Sequence, residues 1–172
     1  MNYAAGALAD PAREQVARLR ARPDLGLLWQ AIRASGAGMT QLVRQIAELP
    51  APPFQEQARG DWVAGRLREY TGQAPEADAL GDRWIVMSGA QGPGPRLMLS
   101  AHLDTVFPPD TDCTVREHAG KLVGPGIGDN SAGLTVLLTF AKVLREAGRP
   151  FAGELLFAAN VGEEGLGDLR GM

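Results

Sequence analysis

The sequence is short of the features that define several classes of protein. It has one cysteine, Cys113, among 172 residues, which excludes an internal disulfide framework and favours a reducing compartment. Seventeen basic residues against 20 acidic ones leave a net charge of −3, so no basic surface for nucleic acid is expected. No apolar run is long enough to cross a bilayer, and residues 1–6 lack a positive leader and an apolar h-region. We therefore expect a cytoplasmic protein without nucleic-acid or membrane partners.

Common catalytic and nucleotide-binding motifs are also missing. The glycine-rich stretch at residues 124–128 is not followed by the Lys-Ser/Thr pair of a phosphate-binding P-loop, and it does not fit G-x-G-x-x-G. Residues 128–133 contain one residue too many before Ser131 for a G-x-S-x-G nucleophile elbow. No H-E-x-x-H occurs. None of these motif classes therefore accounts for the chemistry of the chain.

The first part of the chain has the apolar spacing of helices. Apolar residues recur at helical intervals over residues 12–21, 25–34, 39–49 and 55–70. We expect Gly36 and Gly38 to end the second of these helices and the proline-rich stretch from Pro50 to end the third. The pattern predicts an N-terminal helical segment at residues 1–38 and a main domain at residues 39–172.

The periodicity changes after residue 84. Short apolar runs bounded by glycine and proline predict strands at residues 84–87 and 96–103, with a weaker candidate at residues 121–123. Residues 131–147 are the strongest predicted helix, and residues 155–161 form a continuous apolar run typical of a strand covered on both faces. The order strand, strand, helix, strand predicts an α/β sandwich.

Polar residues with metal-binding potential follow these predicted strands. His102 and Asp104 come after the strand that ends near residue 101, and Glu163 and Glu164 come after the strand that ends at residue 161. Asp129 lies in the glycine-rich loop just before the long helix. Because ligands gather outside the carboxyl ends of strands in open α/β sheets, we expect the three groups to meet at one edge. An imidazole and carboxylates there suit zinc, cobalt or manganese.

Each of these groups also has a simpler interpretation. A lone histidine at a strand end is more often a structural residue than a ligand, but Asp104 two positions later favours a ligand, because ligating histidines usually donate their other N–H to a carboxylate. Asp129 and Asn130 alone indicate a turn and a helix N-cap. The simpler interpretation of the two adjacent glutamates is a solvated pair, yet their mutual repulsion after an apolar strand would be relieved by a cation. His118, in a predicted turn, is expected to be exposed.

Three motifs together resemble those of the co-catalytic zinc metallopeptidases and amidohydrolases, the family of aminoacylase, carboxypeptidase G, succinyl-diaminopimelate desuccinylase and peptidase T. They are S-A-H-L-D-T-V at residues 100–106, G-I-G-D-N-S-A-G at residues 126–133 and N-V-G-E-E-G at residues 160–165. The resemblance covers roughly residues 40–172. It implies a zinc-peptidase-like α/β fold with a mixed, mostly parallel sheet flanked by helices, and a peptide bond between Asp129 and Asn130 that is often cis.

The resemblance also implies a role for each site residue. His102 would ligate one divalent metal ion, Glu164 a second, and Asp129 would bridge the two, with zinc preferred over cobalt or manganese. Asp104 would orient His102, and Glu163 would act as the general base. The implied reaction is hydrolysis of an amide bond, in a small peptide or an N-acyl amino acid, by a water activated between the two metals.

The chain departs from this family in length. Members supply a further acidic ligand and a histidine beyond the glutamate pair, with a lid domain inserted between them that serves in homodimerisation. We therefore expect the N-terminal part of the catalytic domain, truncated before the lid, with two of the three protein ligands for each metal. The alternative is a non-catalytic metallopeptidase-like binding or structural module. With little chain left to cover the sheet, we also expect self-association.

Overall fold

The computed structural model describes residues 10–172, and the first part of this range is helical. The helices are α1 (Asp10–Arg20), α2 (Pro23–Ala34), α3 (Gly36–Ala47) and α4 (Gln57–Thr71). All four predicted helices are confirmed, but Gly36 and Gly38 do not end α2, because both lie in the first turn of α3. Ser35, which lies between α2 and α3, keeps a near-helical backbone (φ −76°, ψ −6°), so the chain turns without leaving the helical region of backbone angles. Residues 1–9, which include the predicted leaderless terminus, lie outside the described residues.

The second part of the chain carries the strands. They are β1 (Glu76–Ala77), β2 (Arg83–Ser88), β3 (Arg96–His102), β4 (Arg116–His118), β5 (Lys121–Val123) and β6 (Glu154–Asn160), with helix α5 (Ala132–Glu146) between β5 and β6. The four predicted strands and the long helix are confirmed. The strands β1 and β4 have two and three residues and no apolar run, so periodicity did not reveal them.

The main sheet has the strand order β1-β2-β6-β3, and β4 and β5 form a separate hairpin. The predicted α/β class and mixed sheet are confirmed. The sheet is not mostly parallel in the described residues, since only β3 and β6 run parallel, while β1–β2 and β2–β6 are antiparallel. A continuous apolar run signals burial but carries no information on strand direction, which explains the difference.

The core lies between one face of this sheet and the helices α4 and α5. Leu99, Phe157 and Ile85 form one row across three neighbouring strands on this face. Phe157 is fully buried and its ring lies 6.1 Å from that of Phe140 on α5, in a tilted arrangement. These contacts attach α5, and therefore the loop that precedes it, to the sheet.

The parallel pair of strands determines where the polar residues converge. His102, the last residue of β3, is in register with Asn160, the last residue of β6. The N–H of Leu103 then donates to the carbonyl of Asn160 at 2.7 Å, so the two chains leave the sheet side by side. Within the described residues, no helix combines the length and apolarity needed to span a membrane.

We predict that the chain self-associates through β3, because Leu97 and Met98 on this outer strand are each 57% exposed. Static light scattering should show a mass above that of the monomer that rises with concentration. Met98→Lys places a charge on the strand and should shift the mass toward the monomer. Leu166→Lys, at an exposed position away from the sheet, should leave the association unchanged. A monodisperse monomer of the unmodified chain would contradict this prediction.

Candidate metal centre

Three segments of the chain meet at the carboxyl ends of β3 and β6. His102 ends β3, Glu163 and Glu164 lie just beyond β6, and Asp129 lies in the irregular helical turn that leads into α5. One ligand atom from each of His102, Glu163 and Glu164 lies within 4.8 Å of the others. Asp129 contacts the same imidazole. The prediction that these groups meet at one edge of the sheet is confirmed.

The imidazole of His102 lies at the centre of this cluster and is almost fully buried. Its Nε2 atom is 2.9 Å from Oδ1 of Asp129 and 3.8 Å from Oε2 of Glu163. On the other side of the ring, Nδ1–H donates to the backbone carbonyl of Asp104 at 3.1 Å and lies 3.6 Å from its carboxylate. With Nδ1 used as a donor, Nε2 is the ring atom available to a metal.

Carboxylates around His102 favour its protonated form. Burial opposes the charge, but hydrogen bonds to Asp104 and Asp129, with the nearby charge of Glu163, outweigh burial and raise the pKa to about 9. The imidazolium therefore stabilises the metal-free fold fully below pH 6.5, and this contribution is lost as the pH rises through about 9. Without a metal, the proton on Nε2 partly balances the negative charge of the cluster.

Asp104 joins the two strand ends as well as contacting His102. Its buried carboxylate accepts the backbone N–H of Glu163 at 3.0 Å and that of Glu164 at 2.7 Å. Burial opposes ionisation, but the nearby imidazole of His102 and the hydrogen bonds from these two amides outweigh it and lower the pKa of Asp104 to about 2. Its contribution to stability is therefore present above pH 3.8 and lost as the pH falls through about 2.

The carboxylates of the cluster have too few cations to balance them. Among residues 10–172, the salt-bridge partner of Asp104, Asp129 and Glu163 is His102 in every case. Burial and the charges of Asp129, Glu163 and Asp104 raise the pKa of Glu164, although His102 opposes this. An imidazole and half-buried carboxylates with an unbalanced negative charge fit a divalent metal ion.

The loop before α5 combines a site residue with a helix cap. Oδ1 of Asn130 accepts the N–H of Gly133 in the first turn of α5 at 3.1 Å, so the simpler interpretation, a helix cap, holds for this residue. Asp129 instead reaches His102, with its side chain 78% exposed to solvent. The peptide bond between Asp129 and Asn130 is cis, as the family resemblance implies.

Two arrangements behind the site were not predicted from the sequence. Arg170 pairs with the buried Glu56 at 2.6 Å and lies against Gly162, where an added Cβ would overlap Nη1 of Arg170. Asp82 accepts the N–H of Val161 at 2.8 Å. Both arrangements hold the chain just before the glutamate pair. Backbone donors and distant ion pairs leave no pattern in a sequence, so no signal pointed to them.

A third unpredicted residue, Arg59, did leave a signal. It precedes Val63 and Leu67 at intervals of four residues, which places a charged residue on the apolar face of α4. The remaining candidates lie apart from the site residues. His118 is exposed at the end of β4, as predicted, and Cys113 is a half-buried free thiol.

Comparison with known proteins gives a family match for the region that carries the site. Residues 85–169 match the sequence pattern of peptidase family M28, and this range includes His102, Asp104, Asp129 and both glutamates. No curated protein sequence matches the chain significantly. The family match supports the prediction of a hydrolytic enzyme.

Solved peptidase structures share the fold. A tripeptidase from Staphylococcus aureus superposes with a TM-score of 0.64 at 23% identity, over 78% of this chain and 39% of its own. The aminopeptidase PepT from Bacillus cereus gives 0.65 at 18% identity, over 77% and 38%. An aminopeptidase from the archaeon Desulfurococcus kamchatkensis gives 0.60 at 14% identity, over 74% and 56%.

The chain thus spans between about two fifths and just over half of the length of these structures. At such identities the likeness concerns the fold, while the family match concerns the site-bearing residues. The resemblance predicted from the three motifs is confirmed in fold and in family match: the chain has the α/β fold of these peptidase structures and is similar over residues 85–169 to peptidase family M28.

Proposed function

We propose that this chain carries part of the active site of a metal-dependent hydrolase that cleaves an amide bond in a small peptide or an N-acyl amino acid. The central observation is the convergence of His102, Asp129, Glu163 and Glu164 at the ends of two parallel strands. The peptidase family match over the same residues supports this proposal. So do the fold-sharing structures, which are a tripeptidase and aminopeptidases.

We assign the metal ligands from the donors that the site offers. His102, Asp129 and Glu164 would hold two divalent ions, with zinc preferred over cobalt and manganese and Asp129 shared between them. The raised pKa of Glu164 supports its role as a ligand. A cation would offset both the cost of burying the charged carboxylate and the repulsion from like charges, which cause the shift. When bound, such ions lower the pKa of a coordinated water and polarise the scissile carbonyl.

Glu163 is the proposed general base. Its carboxylate is half-buried and lies 3.8 Å from Nε2 of His102, farther than the 2.9 Å of Asp129. Glu163 would accept a proton from the attacking water as the new carbon–oxygen bond forms. It would then deliver that proton to the amide nitrogen as the carbon–nitrogen bond breaks. The carboxylate of Asp104 accepts the backbone N–H of Glu163, and this bond holds the base in place.

We also propose a cytoplasmic location, which the single cysteine supports. The homodimer formed through a lid domain, which the family resemblance implies, stays a prediction.

Replacing each of the two adjacent glutamates in turn with alanine should distinguish the general base from the metal ligand. In the full-length protein, Glu163→Ala should lower amide hydrolysis by about 10²- to 10⁴-fold while zinc content stays near normal, because the proton acceptor is lost and the ligands remain. In Glu164→Ala, zinc content should itself fall. Elemental analysis and peptidase assays measure the two effects. Glu154→Ala, at the opposite end of β6, is the control and should change neither. The reverse pattern of metal loss would exchange the two roles.

Zinc affinity should rise with pH between 6 and 8. The pKa of His102 is raised to about 9, so the imidazole is protonated over this whole range and zinc must displace its proton. Competition with one proton gives about a tenfold gain in affinity per pH unit. Calorimetry in two buffers of different ionisation heat measures the proton released. A pH-independent affinity would show that zinc does not bind through His102.

Asp104→Asn should weaken zinc binding by about 10- to 100-fold, the usual effect of losing a group that orients a ligand. One of the two amide bonds to Glu163 and Glu164 is also lost, which should lower the free energy of unfolding by about 2 kcal/mol. Calorimetry and chemical denaturation measure the two effects. Asp82→Asn is the matched control, because Asp82 holds a backbone amide of the same segment without contacting His102. An equal loss of zinc affinity in both variants would contradict the role of Asp104.

A further inference from the structure

Arg59 is a buried cation for which the proposed mechanism has no use. It lies in the first turn of α4, is 1% exposed, and is the largest of the fully buried side chains. Burial lowers its pKa to about 10, against the opposing influence of Cys113 and Asp104, so the guanidinium is charged at neutral pH. Keeping a charge in the interior is costly, which calls for a specific role.

The guanidinium of Arg59 bridges two backbone carbonyls from distant parts of the chain. Nε donates to the carbonyl of Leu49 at 2.9 Å, and Nη2 donates to the same oxygen. Nη1 donates to the carbonyl of Leu103 at 2.9 Å. Leu49 follows α3, whereas Leu103 lies between His102 and Asp104. Arg59 thus ties the site-bearing end of β3 to the segment behind it.

Two neighbouring contacts hold the same stretch of chain from the same side. The N–H of Thr105 donates to the carbonyl of Ala51 at 2.8 Å. Gly60, next to Arg59, lets α4 approach closely, since a Cβ there would lie 3.3 Å from Cδ1 of Leu103. The backbone from Leu103 to Thr105 is therefore held from behind, while the side chain of Asp104 faces His102 and the two glutamate amides.

We propose that Arg59 is a positioning residue for the metal centre, which fixes the direction in which His102 and Asp104 leave β3 by holding the carbonyl of Leu103. This inference rests on the proposed metal-binding function. A rotation of that carbonyl would move the imidazole relative to Asp129. It would also move the Asp104 carboxylate relative to the two amides that it accepts. The planar fork of an arginine can bond both carbonyls at once, which a lysine ammonium does poorly.

The test compares metal binding at matched stability. Arg59→Met keeps an unbranched buried side chain but removes every donor, and it should weaken zinc binding by about tenfold or more. The visible absorption of bound cobalt(II) should change in intensity, because ligand geometry changes with the carbonyl. Arg59→Lys should fall between Arg59→Met and the unmodified protein. Val63→Ala, one turn later on the same buried face, should lower the melting temperature but leave zinc affinity and the cobalt spectrum unchanged.

Each outcome decides the question. Calorimetry is performed below the melting temperature of each variant, on protein shown to be folded by circular dichroism. Zinc affinity in Arg59→Met equal to that in Val63→Ala would overturn the inference and leave the proposed function standing. If Arg59→Met does not fold, Arg59→Lys decides in its place by the same comparison. If the unmodified protein binds no zinc, the proposed function fails and this inference fails with it.

Discussion

The carboxylate of Asp104 connects the two strand ends on which the site is built. The backbone carbonyl and the carboxylate of Asp104 both face His102 at the end of β3. The two carboxylate oxygens also accept the backbone amides of Glu163 and Glu164 beyond β6. Because these acceptor bonds are charge-assisted and buried, they are stronger than neutral ones and resist solvent. The relative position of the imidazole and the glutamates therefore depends directly on this side chain.

The charge balance of the site follows from this arrangement. Asp104 is ionised at neutral pH, because its pKa is lowered to about 2, and its charge adds to those of Asp129, Glu163 and Glu164 around a single imidazole. In the metal-free protein the proton on His102 partly offsets this excess, which is why burial does not depress its pKa. A divalent cation would take over that role from the proton. The proton that stabilises the metal-free fold at neutral pH therefore competes with metal binding.

The sequence alone determined most of the helices and strands and the place of the candidate site. The strands β2, β3 and β6 and the helix α5 were predictable because apolar periodicity is a local property of the chain. His102 and Asp104 after one apolar run, and Glu163 and Glu164 after another, indicated convergence at the carboxyl ends of strands. The spacing of residues 100–106, 126–133 and 160–165 was enough for the family resemblance.

Only the tertiary structure decided how these parts face one another. The antiparallel pairing of β2 with β6 depends on strand direction, which an apolar run does not encode. The bonds from Asp104 reach amides 59 and 60 residues away, and every residue except proline offers such an amide, so no side-chain pattern marks them. The partners of Arg59 are likewise backbone groups. Every residue offers a carbonyl, so no pattern in the sequence marks the two that Arg59 binds. The sequence specifies which side chains are present, whereas the backbone groups that orient these side chains are brought to them only by folding.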